Sequence, residues 1–384
     1  MNTVSIIIPT YNEALNLPLL IPQIAAAMRS RGWTWEAIVV DDNSTDGTPA
    51  VLADLSARFP QLRCKIRPNE RGLSSAVLAG MSMARYDVLV NMDADLSHPP
   101  ESLPDLVDKL IHTDAEFVIG SRYVPGGKTE DWGLLRSLNS AGATLLAKPL
   151  VGPVRDPMAG YFALRRQTLA QADALNPIGY KIALELIVKC HVQRVAEVPI
   201  TFHHRRHGQS KLTLKEQLRY LEHLSRLYDY KYPKASPRVK FLVAAGAGAA
   251  ACFAVAGTLN HWVNALLFLP AALLAMVLVT LAFFIRYVVA QRNFIQMRHP
   301  FSEFTYISLA ELLTGWFFGL STGDAQTHWA IKTSVAVGVV LVIRYTLRKF
   351  FLHDLRGIRG TPRPGASIRV TFAPRPQSNP AAAG

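Results

Sequence analysis

The sequence has few cysteines and no arrangement of them that would build a site. Only three of its 384 residues are cysteines, Cys64, Cys190 and Cys252, and they lie far apart. Structural zinc sites and disulfide frameworks need characteristic spacings, so neither is predicted, and a reducing compartment is expected. No signal peptide precedes the first apolar stretch at 4–9. We therefore expect the N-terminal part of the chain to stay in the cytosol.

The chain is also short of negative charge. It holds 41 Lys and Arg against 28 Asp and Glu, which gives a net charge of +13. Such a balance often indicates nucleic-acid binding, but no nucleic-acid-binding motif is present. The basic residues instead flank long apolar runs, which is typical of a chain that meets anionic lipid head groups. A membrane is therefore the expected partner, and nucleic acid is not.

Composition divides the chain into four parts. Residues 1–211 have the pattern of a soluble α/β domain, and residues 212–238 predict amphipathic interfacial helices followed by a basic linker. The alternative for the helix after 212 is packing against the soluble domain, and both can hold together. Residues 239–350 predict a four-helix transmembrane domain. Residues 351–384 are basic and rich in Pro, Gly and Ala, and they predict a disordered tail.

The predicted membrane spans are 239–257, 262–285, 304–320 and 329–347. Lys and Arg precede the first span, separate the second from the third and follow the fourth, whereas the short loops near 260 and 322–328 carry none. The positive-inside rule then predicts a multi-pass integral membrane protein with both termini in the cytosol. Glu311 interrupts the third span, and it predicts either a functional carboxylate or a helix–helix hydrogen bond.

In the N-terminal part, short apolar strands alternate with helices, which predicts a doubly wound, mostly parallel sheet. Asp93-Ala94-Asp95 comes directly after the apolar run 87–92. The acidic pair is therefore expected at the carboxyl end of a buried strand, where open α/β sheets bind ligands. Two carboxylates there suit Mg²⁺ or Mn²⁺ shared with a substrate diphosphate.

Five short motifs occur one after another between about residues 4 and 215. They are Ile8–Glu13, Val40–Thr48, Asp93–Pro99, Gly120–Tyr123, and Val198–Ile200 with Gly208–Leu212. This part of the chain resembles the inverting GT-A-fold glycosyltransferases of family 2, and within them the dolichyl- or polyprenyl-phosphate mannosyltransferases. The resemblance implies a GT-A-type catalytic domain followed by a C-terminal all-α transmembrane bundle. It also implies GDP-mannose as donor and a polyprenyl phosphate lipid as acceptor, on the cytosolic face of the membrane.

The resemblance also implies roles for individual residues. The nucleotide-sugar-binding set is Pro9, Tyr11, Glu13, Val40, Asp42, Asp93, Ala94, Asp95, Arg205 and Lys211. The metal ligands are Asp93, Asp95 and, in the family's variable position, Ser97. The cations for the acceptor phosphate are Arg122, Arg136, Arg205 and Lys211. Asp93, Asp95 and Arg122 form the catalytic set. Asp156 and Glu185 match acidic positions on the acceptor side, and a structural role for each remains an alternative.

Three rival functions have to be weighed. A processive polysaccharide synthase would share the fold and the spans, but the Arg-Trp pair of its usual signature does not occur in this sequence. A polyprenyl-phosphate glucosyltransferase would differ in using UDP-glucose. Transport of the lipid-linked sugar by the spans is a third alternative, which their scarcity of polar residues disfavours. The membrane domain can also mediate homo-oligomerisation.

No strong general base is required for the expected reaction. A phosphate monoester has a second pKa near 6, so the acceptor is already largely a dianion at neutral pH. A hydroxyl acceptor, by contrast, needs a carboxylate to remove its proton.

Overall fold

A computed structural model describes residues 3–130, 134–173, 175–204, 214–262, 265–291, 300–321, 328–357 and 370–372. The chain forms two compact units. The first contains Met1–Lys231 together with Ser367–Gly384, and the second contains Tyr232–Ala366.

The first unit is built on a seven-stranded sheet. Its strands are β1 (Thr3–Thr10), β2 (Thr34–Asp41), β3 (Leu62–Ile66), β4 (Val88–Asn91), β5 (Phe117–Ser121), β7 (Phe162–Arg165) and β8 (Val195–Pro199). Their order is β3-β2-β1-β4-β7-β5-β8. All neighbouring pairs are parallel except those of β7, which runs antiparallel to β4 and β5. The predicted mostly parallel α/β sheet is therefore confirmed. A separate ribbon pairs β6 (Lys128–Thr129) with β9 (Thr201–Phe202).

Helices cover both faces of this sheet. They are α1 (Leu17–Arg29), α2 (Thr48–Arg58), α3 (Leu73–Met83), α4 (Leu103–His112), α5 (Leu134–Val151), α6 (Arg166–Ala170), α7 (Ile182–Lys189) and α8 (Leu214–Lys231). One core lies between the sheet and α1, α2 and α4, and the other lies under α3 and α7. Gly80 lets α3 approach the sheet, because an added Cβ would stand 2.6 Å from the Cγ2 atom of Ile7. The buried apolar strands and small-residue helix thus account for the layered architecture.

Helix α8 packs against other helices of the first unit. Tyr220, Leu224 and Leu227 are buried in a third core with residues of α5 and α7. On the opposite side, Leu218 and Leu221 are 42% and 44% exposed. One apolar face of the helix is therefore used in packing, while exposed leucines remain available for the predicted interfacial role.

The second unit is entirely helical within the described residues. Its helices are α9 (Ser236–Leu259), α10 (Ala265–Gln291), α11 (Pro300–Ser321) and α12 (Trp329–Gly357). They share an apolar core that includes Cys252, Leu269, Met276 and Val340. Among the described residues, one stretch, Arg238–Leu259, is long and apolar enough to cross a membrane, and Leu267–Phe283 is a shorter apolar helix. The all-α bundle is thus observed, while its four crossings stay a prediction.

Glu311 of α11 and Arg344 of α12 form a buried ion pair in this bundle. Arg344 Nε donates to Glu311 Oε1 at 2.7 Å, and a second guanidinium nitrogen contacts the other carboxylate oxygen. Their side chains are 1% and 3% exposed. The carboxylate that interrupts the third predicted span is therefore a helix–helix partner, as one of the two sequence interpretations proposed.

Two short parts of the segment predicted as a tail, 351–357 and 370–372, are described by the structure. Helix α12 continues to Gly357, beyond the predicted boundary at 350. After residues that the structure does not describe, Val370 and Phe372 pack against the core of the first unit that contains Leu89. The Phe372 ring lies 4.2 Å from the guanidinium of Arg166. Two apolar residues in a Pro- and Arg-rich segment are enough to fix this short stretch.

Candidate active site

The carboxyl ends of the central strands form the candidate active site. From β1 the chain proceeds through β2 and β3 on one side, while β4 pairs with the other side of β1. The strand order therefore reverses between β1 and β4, which is where doubly wound sheets bind ligands. Tyr11 follows β1, Asp42 follows β2, and Asp93 and Asp95 follow β4. The topology brings these predicted residues to one edge of the sheet.

Backbone strain marks the same edge. Asn12 and Asn43 have φ values of 59°, and Leu96 has 62°. A left-handed conformation is tolerated by asparagine but is unfavourable for leucine, and such strain concentrates at functional sites. Each of the three residues lies in the loop that leaves one of these strands. The first two loops are joined, because Asn12 N donates to Ser44 Oγ at 2.7 Å.

Asp42 is held from below by a buried arginine. Arg67 Nε donates to its Oδ1 at 2.7 Å, and the backbone N–H of Gly72 donates to its Oδ2, also at 2.7 Å. Arg67 is 2% exposed. Nearby, the guanidinium of Arg71 lies 5.2 Å from the centre of the Tyr11 ring. An aromatic ring, a fixed carboxylate and a cation thus adjoin one another on the side predicted to bind the nucleoside.

The other predicted nucleoside residues lie along the same two strands. Pro9 and Val40 are register partners in the parallel pair β1–β2, and both are buried. The Glu13 carboxylate accepts from the Asn16 side chain at 2.5 Å, and its backbone N–H donates to Thr48 Oγ1 at 3.0 Å. These contacts fix the loop after β1 against the start of α2.

The acidic turn presents one carboxylate and encloses the other. The Asp93 side chain is 28% exposed, whereas Asp95 and Ala94 are 4% and 3% exposed. Ser97 donates to Asp95 Oδ1 through its hydroxyl at 2.6 Å and through its backbone N–H at 3.1 Å. In this arrangement Ser97 orients Asp95, and its expected role as a metal ligand stays a prediction.

Arg122 is engaged by a carboxylate that the sequence placed on the acceptor side. Its Nε and one terminal nitrogen each donate to Asp156 at 2.7 Å. The guanidinium also lies 5.2 Å from the Tyr123 ring centre and 5.3 Å from that of Phe202. Burial alone would lower the pKa of Arg122, but the hydrogen bonds and charge of Asp156 raise it. Arg122 is thus a fixed cation, paired more tightly than a freely available phosphate ligand would be.

Glu185 does not line the site. It is 1% exposed and lies on α7, where His223 of α8 contacts it at 2.6 Å and Lys189 at 2.7 Å. The structural alternative is therefore the right one for Glu185, because the carboxylate joins α7 to α8. Its helical neighbours are apolar, so the sequence alone gave no sign of the buried partner on α8.

Three predicted cations cannot be positioned at the site. Arg205 and Lys211 lie outside the described residues, and Arg136 lies in α5 with its side chain outside them. Two residues at the edge of the sheet were missed by the sequence reasoning, Arg67 and His98. His98 lies within the acidic motif, so its position was a usable signal, whereas nothing in the local sequence links Arg67 to Asp42.

Comparison with known proteins identifies the family. Residues 5–172 match the model of glycosyl transferase family 2. A dolichol-phosphate mannosyltransferase of Pyrococcus furiosus is 44% identical over 231 residues, 59% of this chain and 64% of the relative. Relatives with the same name from Mycosarcoma maydis and Saccharomyces cerevisiae are 40% and 41% identical, and the alignments cover 80% and 88% of their lengths. The chain belongs to glycosyltransferase family 2.

These relatives make the chain an enzyme of the hexosyltransferase class. The chain spans just under two thirds of the archaeal relative's length. Among solved structures, mannosyl-3-phosphoglycerate synthase from Rubrobacter xylanophilus has a TM-score of 0.48 at 20% identity, covering 62% of this chain and 75% of that one. Glucosyl-3-phosphoglycerate synthase from Mycobacterium tuberculosis has a TM-score of 0.45 at 22% identity, covering 59% and 79%. The residues that match the family model include Tyr11, Asp42, Asp93 and Asp95 of the candidate site.

Proposed function

We propose that this family 2 enzyme transfers mannose from GDP-mannose to a polyprenyl phosphate at the cytosolic face of a membrane. The observation that carries the proposal is the acidic turn at the carboxyl end of β4, beside the point where strand order reverses. Curated relatives named dolichol-phosphate mannosyltransferase support the choice of sugar and acceptor. Product is polyprenyl phosphate β-mannose, with inversion at the anomeric carbon.

The chemistry is a single displacement. An oxygen of the acceptor phosphate forms a bond to C1 of mannose as the bond from C1 to the GDP oxygen breaks, and GDP leaves. Because the acceptor is already largely a dianion, no side chain has to remove a proton. The protein's contribution is therefore to hold donor and acceptor in line and to stabilise charge on the departing diphosphate.

On the donor side, Tyr11 and Asp42 are suited to bind the nucleoside. The Tyr11 ring offers an apolar face, and the Asp42 carboxylate can accept from ribose or base N–H and O–H groups. Because Arg67 and Gly72 fix that carboxylate, its orientation is set before the nucleotide arrives.

The two carboxylates of the acidic turn are suitable ligands for a hard divalent cation. Asp95 and Asp93 supply carboxylate oxygens, the ligand type that Mg²⁺ and Mn²⁺ prefer, and substrate phosphate oxygens and water would complete the shell. Within the described ranges, no cluster of three or more His, Cys, Asp or Glu side chains could hold a metal by itself. The cation would therefore bind together with the nucleotide, and when bound it would offset charge on the leaving diphosphate.

On the acceptor side, the proposal assigns the basic segment after β9 to the phosphates. Arg205 and Lys211 would bind acceptor or donor phosphate in this scheme, and Arg122 would stabilise the site through Asp156. Helices α9–α12 would hold the lipid near the site, with the exposed leucines of α8 at the membrane surface.

The first experiment tests both the donor and the metal. Purified enzyme receives radiolabelled GDP-mannose or UDP-glucose with polyprenyl phosphate, in Mg²⁺, Mn²⁺ or EDTA. We expect label in the lipid fraction from GDP-mannose only, and none in EDTA. Asp95→Asn keeps the side-chain size but removes the anion, so transfer should fall by about two orders of magnitude or more. Asp54→Asn is the matched control, because Asp54 is a 70%-exposed acid on α2.

Transfer from UDP-glucose alone would replace mannose by glucose in this proposal. Near wild-type turnover in EDTA would contradict the proposed dependence on a divalent cation. Loss of activity in the Asp54 control as well would mean that the Asp95 substitution reports on folding.

A further inference from the structure

His98 is a buried polar side chain at the end of the acidic turn. Its side chain is 3% exposed. The Tyr161 ring stacks on it with centroids 5.0 Å apart and planes 16° apart, and the Phe202 ring meets it edge-on at 5.6 Å. Burying an imidazole costs free energy unless its nitrogens form hydrogen bonds. The atoms that the two nitrogens contact therefore indicate the role of the ring.

Both ring nitrogens of His98 lie close to atoms of Asp93. The Nδ1 atom accepts the backbone N–H of Asp93 at 2.9 Å. The neutral ring therefore carries its proton on Nε2, and that atom lies 3.9 Å from Asp93 Oδ2. A single side chain thus fixes the Asp93 backbone and faces the Asp93 carboxylate.

The surroundings leave the ring one position. The Tyr161 hydroxyl donates to the carbonyl of Pro99 at 3.1 Å, which holds the stacking partner in place. An added Cβ at Gly160 would lie 3.3 Å from His98 Cε1 and 3.5 Å from each Asp93 carboxylate oxygen. The His98 ring, the Asp93 carboxylate and the Gly160 backbone are therefore packed as one assembly.

We propose that His98 is a positioning residue that sets the orientation of the Asp93 carboxylate toward the sugar nucleotide and its cation. The proposal rests on the function proposed above, because it gives Asp93 its reason to be held. Left-handed backbone at Leu96 costs free energy, and the hydrogen bond to His98 Nδ1 offsets part of that cost by closing the turn. His98 touches no reacting atom in this scheme and acts through Asp93.

Three substitutions separate the two nitrogens from the ring. His98→Phe keeps the stacking on Tyr161 and removes both polar atoms. His98→Asn retains an acceptor close to the Nδ1 position, and His98→Gln retains a donor close to the Nε2 position. Tyr161→Phe is the matched control, because it perturbs the same buried stack while leaving both contacts to Asp93 in place.

The full-length enzyme is assayed with whichever sugar nucleotide the wild type uses, and thermal melting is followed in parallel. We expect His98→Phe to lower kcat about 10- to 100-fold and to raise KM for the donor, as for outer residues that orient a ligand. His98→Asn should recover most of that loss and His98→Gln less. Tyr161→Phe should lower the melting temperature and leave kcat close to wild type.

A double-mutant cycle supplies the readout that a purely structural role would not move. Mn²⁺-dependent nucleotide binding is measured for His98→Phe in the wild-type and Asp93→Asn backgrounds. We expect a loss of affinity in the first and none in the second, because there is no longer a carboxylate to orient.

Equal losses in both backgrounds would overturn the proposal, as would wild-type kcat in His98→Phe. If His98→Phe does not fold, the comparison of Asn with Gln decides, and equal kcat in the two would refute the assignment. Failure of the proposed function looks different, since the wild type itself would then transfer no hexose to polyprenyl phosphate.

Discussion

Among the described residues, Arg67 is the first by volume of the fully buried side chains, and it donates a hydrogen bond to Asp42. Besides Asp42, it donates to Glu70 Oε2 and to Ser75 Oγ, each at 3.0 Å. A planar fork with several donors can satisfy these acceptors together, whereas the single ammonium of lysine cannot. At the residue scale, the predicted nucleoside carboxylate thus depends on an arginine whose partner is 25 positions away.

Arg67→Lys should therefore weaken nucleotide binding and stability together. Because lysine keeps the positive charge, the loss of stability should be smaller than the about 3–5 kcal/mol typical of removing a buried ionic partner. Part of the loss should appear as weaker GDP binding, because Asp42 loses its orientation. Urea unfolding and calorimetric titration with GDP measure the two effects. Arg63→Lys is the control, since Arg63 also pairs with a β2 carboxylate, Glu36, but at the other end of the strand. Equal losses of GDP affinity in both variants would contradict this role.

Gly160→Ala probes the acidic turn from its opposite side. The added methyl would approach His98 Cε1 tightly, at 3.3 Å, and would contact both Asp93 carboxylate oxygens at 3.5 Å. We expect kcat to fall while the melting temperature drops only slightly. Gly142→Ala, on an open face of α5, should leave kcat unchanged and raise the melting temperature slightly, because alanine favours a helix interior over glycine. Kinetics and thermal melts of the two variants check this, and an unchanged kcat for Gly160→Ala would show that the assembly can relax.

The residues found from the sequence are those whose chemistry follows a strand. Asp42, Asp93 and Asp95 each lie within three residues of the end of an apolar run, so chain position predicted that they follow buried strands, while the resemblance supplied their roles. His98, Arg67 and the pairing of Arg122 with Asp156 were not predicted, because they depend on contacts between segments distant in the chain or on a ring's orientation. The local sequence pattern predicts where a strand ends. It does not predict which distant side chain will form a hydrogen bond with a buried polar group.

At the scale of elements, α7 and α8 are joined by a buried ionic cluster. Burial alone would raise the pKa of Glu185, but the hydrogen bond with His223 and the charge of Lys189 outweigh it and lower the pKa to about 2. A carboxyl whose pKa falls on folding stabilises the protein above its unfolded pKa. That contribution is lost as the pH drops from about 4.3 toward 2.

Glu185→Gln should flatten the stability profile in that window. We expect a loss on the order of 3 kcal/mol at neutral pH and a much smaller difference from wild type near pH 2, measured by denaturant unfolding across pH. Asp173→Asn is the control, because Asp173 also contacts α8, through Tyr230, but is 55% exposed. A pH-independent loss for Glu185→Gln would mean that its side-chain packing, and not its charge, joins the helices.

The ion pair between α11 and α12 makes a second prediction about elements. Among the described residues, Arg344 Nη1 is buried without a hydrogen-bond partner, so the pair is incompletely satisfied there. Removing one partner leaves an uncompensated charge, whereas removing both does not. Glu311→Gln and Arg344→Gln should therefore each lower the melting temperature in detergent more than the double variant does. Additive losses would show that the two side chains do not interact.

At the scale of the whole molecule, the predicted topology can be tested by cysteine labelling. Thr322 and Arg292 lie outside the described residues, in loops that the positive-inside rule assigns to opposite sides of the membrane. In a cysteine-free background, an impermeant thiol reagent added from outside should label Thr322→Cys and leave Arg292→Cys unlabelled until the membrane is opened. The reverse pattern would refute the four-span prediction.

The packing of Val370 and Phe372 on the N-terminal unit bears on the parity of membrane crossings. A chain whose beginning and end pack on one body has passed through any bilayer an even number of times. A single crossing by α9 would separate Phe372 from Arg166, which it contacts at 4.2 Å. If the second unit enters a bilayer, this contact requires an even number of crossings, by a criterion independent of both hydropathy and charge, and the four crossings themselves stay a prediction.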